Sequence, residues 1–171
     1  MSQSQKSEPA APGKLVIFRA EAAPSLDETG MMAAPVFSDP RGGEALAEGR
    51  FLERSQAAAR LTVPFRQRGP GGFSLVTVEF GPGYLLPRHS HSSDCLYYVV
   101  EGELQMGSRV LGPGDGFFLP AEQPYAYRAG ADGVKLLEFR HETAFDIVIQ
   151  EPDMARFREK ALASLDAAGA Q

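Results

Sequence analysis

Short runs of apolar and β-branched residues, each closed by glycine or proline, dominate the chain from Leu61 onward. Residues 73–80 (FSLVTVEF) are apolar on both faces, which is typical of a strand buried inside a sandwich. Residues 94–100 (DCLYYVV) form a second strand pattern, with Gly102 expected at a hairpin turn. Short strand patterns that repeat along the chain and are separated by turn residues favour an all-β sandwich or barrel. We therefore predict an antiparallel barrel of six to eight or more strands over residues 61–150.

The chain before the barrel has a less regular pattern. Residues 1–13 are rich in Ser, Gln, Pro and Ala, and this composition predicts a disordered tail. Residues 14–60 are predicted to form an N-terminal arm, which begins with a short strand at residues 14–18 (KLVIF). A ragged helical period between residues 44 and 59 suggests helical turns there.

The end of the chain changes from a strand pattern to a helical one. Four apolar residues recur at steps of three and four after a candidate N-cap at Asp153: Met154, Phe157, Ala161 and Leu165. This spacing predicts a short C-terminal amphipathic helix over residues 152–168. Because one small barrel cannot cover both the arm and this helix, and an open sheet edge needs a partner, we expect a homodimer.

Composition and charge exclude several classes of function. The formal net charge is −5 at pH 7, so a nucleic-acid-binding surface is not expected. No apolar run approaches the roughly 18 residues of a membrane span, and the first residues lack the apolar core of a signal peptide. We therefore expect a cytoplasmic protein without a membrane partner. A single cysteine excludes an intrachain disulfide framework.

Two of the three histidines in the chain, His89 and His91, are two residues apart. On a strand such residues face the same side, and neutral imidazole is a ligand for several divalent metals. The pair could equally be two polar residues at the start of a strand. The third imidazole, His141, follows a predicted strand and is expected to be exposed or to make a structural hydrogen bond.

The residues around the histidine pair resemble the first cupin motif. Gly83, five residues, His89, one residue, His91, three residues, Cys95, six residues and Gly102 follow one another with that motif's spacing. Residues 114–125 (GDGFFLPAEQPY) resemble the second cupin motif, with Gly114 and Pro120 in place. The chain is thus similar to small bacterial cupins of the RmlC-like type over roughly residues 76–139.

This resemblance implies a double-stranded β-helix, the cupin jelly-roll barrel, and a divalent metal such as Zn, Fe or Ni. In cupins two or three histidines and a glutamate hold the metal, so His89 and His91 would be ligands. Cys95 occupies the usual glutamate position and Tyr125 the usual third-histidine position, so the ligand set is degenerate. Cys95 is either a ligand or a small buried residue lining the barrel.

Several aromatic residues have strand positions that suit the inside of such a barrel. The predicted pocket wall comprises Tyr97, Tyr127, Phe118 and Phe139. The tyrosines either line the barrel or donate hydrogen bonds to a bound anion, since an unperturbed phenol has a pKa near 10. Arg88 and Arg140 are interpreted as surface or interface residues.

These observations predict a cupin barrel that binds a divalent metal and a small organic ligand, with its activity left open. One alternative is a metal-dependent enzyme, a dioxygenase or an isomerase, acting on a small molecule. Another is a metal-free sensor or scaffold. The pocket residues do not identify a substrate.

Overall fold

The computed structural model describes residues 14–47, 49–69 and 71–169, so the tail predicted for residues 1–13 lies outside the described residues. Strands are found at β1 (Val36–Phe37), β2 (Ala59–Arg66), β3 (Ser74–Phe80), β4 (His89–Ser90), β5 (Cys95–Met106), β6 (Arg109–Leu111), β7 (Gly116–Leu119), β8 (Arg128–Arg140) and β9 (Val148–Ile149). A 3₁₀ turn (Ala20–Ala22) and four helices accompany them: α1 (Leu26–Thr29), α2 (Gly42–Ala47), α3 (Gly49–Ala57) and α4 (Met154–Ala168).

The described strands form two sheets. The larger has the order β2-β3-β8-β5-β6, with β7 also paired to β5, and its pairs are antiparallel. The smaller has the order β1-β9-β4, in which β1 and β9 are parallel. Strand β3 alternates strictly between buried and half-buried residues, as a strand with one face on the core must. The predicted all-β fold is confirmed.

Helix α4 covers part of the barrel, and the predicted C-terminal helix is present. Asp153 caps it by accepting a hydrogen bond from the Arg156 amide, at 3.0 Å. Its buried side chains are the four that the periodicity predicts: Met154, Phe157, Ala161 and Leu165. Phe157 packs edge-on against Phe51 of α3, so the arm and the helix share a second small core. No helix among the described residues has the length and apolar character that crossing a bilayer requires.

Two local predictions are wrong. Residues 14–18 do not form a strand, because they are paired with neither sheet, although the Phe18 ring contacts that of Phe65. Gly102 does not make a hairpin turn. Strand β5 continues through it, since its φ of +68° permits an irregularity in the register with β8.

Candidate functional site

The first sequence-predicted histidine is held opposite a tyrosine by backbone pairing. The His89 amide donates to the Tyr125 carbonyl at 3.0 Å, and the Tyr125 amide donates back to His89 at 2.9 Å. Residues paired in this way present their side chains on the same face. Both side chains are buried, and their rings are 4.3 Å apart. His91, the next residue of the same parity, is also buried, with its ring 4.9 Å from that of His89.

Each imidazole is oriented by a backbone carbonyl on its Nδ1 side. His89 Nδ1 lies 2.8 Å from the Pro87 carbonyl, and His91 Nδ1 lies 2.5 Å from the Asp146 carbonyl. A carbonyl only accepts, so Nδ1 carries the proton in both neutral rings. Each Nε2 therefore presents a lone pair, which is the arrangement found when a histidine binds a metal through Nε2.

Both lone pairs point toward one hydroxyl group. The Tyr125 hydroxyl is 2.9 Å from His89 Nε2 and 3.5 Å from His91 Nε2. The same oxygen is 2.7 Å from the Tyr97 hydroxyl. A phenol carries one proton, so it cannot donate fully to two imidazoles at once. One imidazole lone pair is left without a strong donor, and a cation or a ligand donor would satisfy it.

A buried charged pair continues this polar cluster. Arg140 Nη2 donates to the Tyr97 hydroxyl at 3.3 Å, and Arg140 Nη1 lies 2.6 Å from a Glu138 carboxylate oxygen. The guanidinium also lies over the Phe145 ring, 4.1 Å from its centroid. Arg140 is fully buried, and its Nε has no hydrogen-bond partner among the described residues. The cluster thus runs from two imidazoles through two phenols to an ion pair.

Burial keeps the two imidazoles and the two phenols of this cluster neutral. It lowers the pKa of His89 to about 3, with a further contribution from His91. It also lowers the pKa of His91, as does the positive charge of Arg140. Burial raises the pKa values of Tyr97 and Tyr125 well above the usual range, and nearby Glu138 raises them further. Imidazole and phenol are therefore the forms present at neutral pH.

Several solved structures are similar to this chain. A DMSP lyase, DddQ from Ruegeria pomeroyi DSS-3, is 24% identical, with a TM-score of 0.50 over 63% of this chain and 57% of that one. An RmlC-like cupin from Shewanella frigidimarina NCIMB 400 is 24% identical, with a TM-score of 0.43 over 51% of this chain and 78% of that one. KdgF from a Halomonas species is 22% identical, with a TM-score of 0.43 over 48% and 79%.

The chain has the cupin fold. No protein-family model matches the sequence, and no curated protein does so. The likeness therefore concerns the barrel, and the chemistry of the site has to come from this chain's own residues.

Two positions depart from the usual cupin ligand set, and the structure places them differently. Tyr125 lies between the two histidines, as described above. The Cys95 thiol is buried, and its Sγ is 3.8 Å from the Leu96 carbonyl oxygen. Burial raises the pKa of Cys95 to about 12, and the negative charge of Glu138 acts in the same direction. A thiol in this environment is protonated and behaves as a small apolar residue. Its role as a ligand stays a prediction.

Two of the four predicted pocket residues do not face the barrel interior. Tyr97 and Tyr127 are buried inside it, but Phe118 and Phe139 are largely exposed. The reason is parity: both phenylalanines are paired with Leu96, whose side chain points outward while those of Cys95 and Tyr97 point inward.

The sequence interpretation missed Arg140 and Glu138. Arg140 was expected at the surface, and the structure instead buries it in the barrel. Strand parity carries the signal, because residues 136, 138 and 140 alternate with residues 137 and 139, and Leu136 is fully buried. A charged pair on the apolar face of a strand was improbable from composition alone, since buried charges need partners.

Because the buried imidazoles are neutral, we expect the fold to lose stability as the pH is lowered. An unfolded histidine gains its proton below a pKa of about 6.5, whereas folded His89 resists protonation down to about 3. The unfolded state therefore binds more protons in this interval, and stability falls as the pH is lowered from 6.5 toward 3. The free energy of unfolding is expected to fall by about 1.4 kcal/mol per pH unit for each histidine that stays neutral in the folded state.

Urea unfolding at several pH values measures this slope. His89→Asn/His91→Asn should flatten it between pH 4 and pH 6, the interval set by the His89 shift. His141→Asn, which alters an exposed histidine, should leave it unchanged. An equal slope in all three proteins would contradict the assignment of neutral buried imidazoles.

Proposed function

We propose that this cupin barrel binds a divalent transition metal through His89 and His91, with Tyr125 as the third ligand, and accepts a small organic anion beside it. The observation that carries the proposal is the pair of imidazoles whose Nδ1 atoms are fixed by carbonyls. This leaves two Nε2 lone pairs aimed at a common point. Zn, Fe and Ni all accept such ligands.

The distances from the Tyr125 oxygen to the two imidazole nitrogens are compatible with a shared metal ion. With metal–ligand distances of about 2.0–2.1 Å, neighbouring donors of a tetrahedral shell are roughly 3.3–3.4 Å apart. The Tyr125 oxygen lies 2.9 and 3.5 Å from the two Nε2 atoms, so shifts of about half an ångström would suffice. Tyr125 would release its proton on binding, because metal ligands coordinate in their deprotonated form. Solvent or the organic ligand would complete the shell.

The organic ligand is proposed to be an anion because the neighbouring groups are donors. The Tyr97 hydroxyl is 2.7 Å from the Tyr125 hydroxyl and accepts a hydrogen bond from Arg140, whose Nε has no partner among the described residues. A bound metal would supply Lewis-acid polarisation of such a ligand. The residues of the chain would orient it and shield it from bulk solvent, since the exposed fraction of every member of the cluster is below a tenth.

A metal-free barrel is the second candidate function. Among the described residues, no group of three His, Cys, Asp or Glu side chains is placed to hold a metal. In addition, Arg140 already supplies a positive charge near the histidines, and the Tyr125 hydroxyl already contacts His89. In this alternative the polar groups of the cluster form hydrogen bonds with one another and hold no metal, and the protein acts as a sensor or a scaffold.

Metal content after equilibration with Zn, Fe or Ni distinguishes the two candidates. We expect about one metal per chain in the wild type and none in His89→Ala/His91→Ala. Tyr125→Phe should weaken binding by on the order of tenfold or more, since it removes a ligand oxygen. Cys95→Ser and the exposed-histidine control His141→Ala should retain the metal.

Circular dichroism of each variant checks that the barrel is folded. A wild type that takes up no metal, or a metal that survives loss of both histidines, contradicts the proposal. The first result would favour the metal-free barrel. The second would place the metal elsewhere in the chain.

A further inference from the structure

A groove of about 950 Å³ lies between helix α4 and the barrel, here called the helix groove. Its volume is in the range of small-molecule sites, about 300–1,000 Å³. Four of its lining side chains are apolar or aromatic and are buried or half-buried: Leu85, Leu86, Tyr127 and Phe157. A lining of this kind with a few polar groups is typical of a site for a small organic ligand.

Helix α4 contributes two cations to the helix groove. Arg156 and Lys160 are four residues apart, so they lie on the same face of the helix, about one turn from each other. Both side chains are exposed, and neither forms an ion pair with a carboxylate among the described residues. Like charges at this spacing repel each other. An anion bound between them would relieve this repulsion.

The barrel contributes two further donors to the helix groove. Arg128 donates through Nη2 to the Gln105 side-chain oxygen at 3.2 Å, which orients the guanidinium and leaves its other N–H groups for a ligand. Tyr127 is only 5% exposed, and no hydrogen bond joins its hydroxyl to another described residue. Burial raises the pKa of Tyr127 well above its usual range, so the hydroxyl keeps its proton. An unpaired buried hydroxyl is costly, which favours an acceptor supplied from outside the chain.

The two carboxylates that line the helix groove are already engaged by backbone amides. Glu151 accepts from the Arg88 amide at 3.2 Å, and Asp153 accepts from the Arg156 amide at 3.0 Å as the cap of α4. The groups left to bind a ligand are therefore donors, and most of them are cationic. A ligand that satisfies them carries acceptor atoms and a negative charge.

We propose that the helix groove binds an amphipathic organic acid, whose carboxylate is held by Arg128, Arg156 and Lys160. The planar guanidinium of arginine suits a carboxylate because it donates two parallel hydrogen bonds. The apolar body of the acid covers the apolar and aromatic lining of the groove and removes it from water. This site goes beyond the proposed metal site and shares no residue with it, although the Tyr127 ring is 6.1 Å from that of Tyr125.

Calorimetric titration with decanoate, in buffer that contains EDTA, measures this binding without a contribution from metal. We expect saturable binding of about one decanoate per chain. Decyltrimethylammonium, which has the same apolar chain and the opposite charge, should not bind. Arg156→Glu and Arg128→Gln/Lys160→Gln should each weaken decanoate binding on the order of tenfold or more, because each removes charge-assisted hydrogen bonds. Tyr127→Phe, which removes only the hydroxyl, should weaken it about fivefold.

The double variant Arg19→Gln/Arg68→Gln is the matched control for charge. It removes two exposed cations outside the helix groove, and it should bind decanoate as the wild type does. Circular dichroism checks the fold of each variant, and Arg156→Glu suits the helix because glutamate is favoured at the third position after the cap. A wild type without saturable binding, or with equal affinity for decyltrimethylammonium, overturns the proposal. So does a folded groove variant that binds decanoate as tightly as the control.

Discussion

Arg140→Met is expected to destabilise the fold by about 3–5 kcal/mol, because it leaves the Glu138 carboxylate buried without its partner. The two groups are 2.6 Å apart, and the Arg140 side chain is fully buried. Removing one member of such a pair costs more than the pair itself contributes, since the remaining charge has lost its water. Chemical denaturation measures the change in the free energy of unfolding.

A surface ion pair provides the matched control. Arg41 lies 2.9 Å from Asp39, but the Arg41 side chain is 87% exposed. Arg41→Met should therefore change stability by less than about 1 kcal/mol. The double variant Glu138→Gln/Arg140→Met should recover part of the loss, because it removes both buried charges. An Arg140→Met protein as stable as the Arg41→Met control would show that the buried pair has been wrongly assigned.

Gly102→Ala is expected to cost more than about 3 kcal/mol and to reduce the yield of folded protein. Gly102 has a φ of +68°, which disfavours any residue with a Cβ atom. A Cβ at this position would also meet the carbonyl oxygen of Gly133 on the paired strand. Both β5 and β8 would have to shift, and their pairing joins the halves of the larger sheet.

A substitution at Gly107 separates the cost of the left-handed backbone conformation from the cost of the contact with Gly133. Its φ is +61°, but a Cβ there would find open space. Gly107→Ala should therefore lose only about 1 kcal/mol, the cost of the left-handed conformation alone. Thermal unfolding of the two variants gives the comparison. Equal losses at the two positions would mean that the contact with Gly133 is relieved by a small backbone movement.

The cupin fold was predictable because it depends on patterns that are local in the sequence. The β-branched and aromatic run in residues 73–80, the turn residues between the strands and the spacing around His89 and His91 all reflect backbone geometry, which acts over a few residues. The C-terminal helix was predictable for the same reason, since Asp153 and the apolar period lie within one segment. The predicted strand at residues 14–18 failed because strand propensity does not supply a pairing partner.

The candidate site was predictable only in part. The shared parity of His89 and His91 follows from their spacing, but the position of Tyr125 between them depends on a pairing across 36 residues. The tautomers depend on the carbonyls of Pro87 and Asp146, and the second of these lies 55 residues away from its histidine. Contacts of this range are set by how the two sheets close over the core.

The sequence by itself determined strands of the larger sheet such as β3, the C-terminal helix and the shared parity of the two imidazoles, because each follows from the period of a single element. Only the tertiary structure decided which face of each strand is inside. It turned Phe118 and Phe139 outward and buried Arg140 beside Glu138. The physical reason is register: a shift of one residue exchanges the two faces of a strand, and register is fixed by pairing with distant strands.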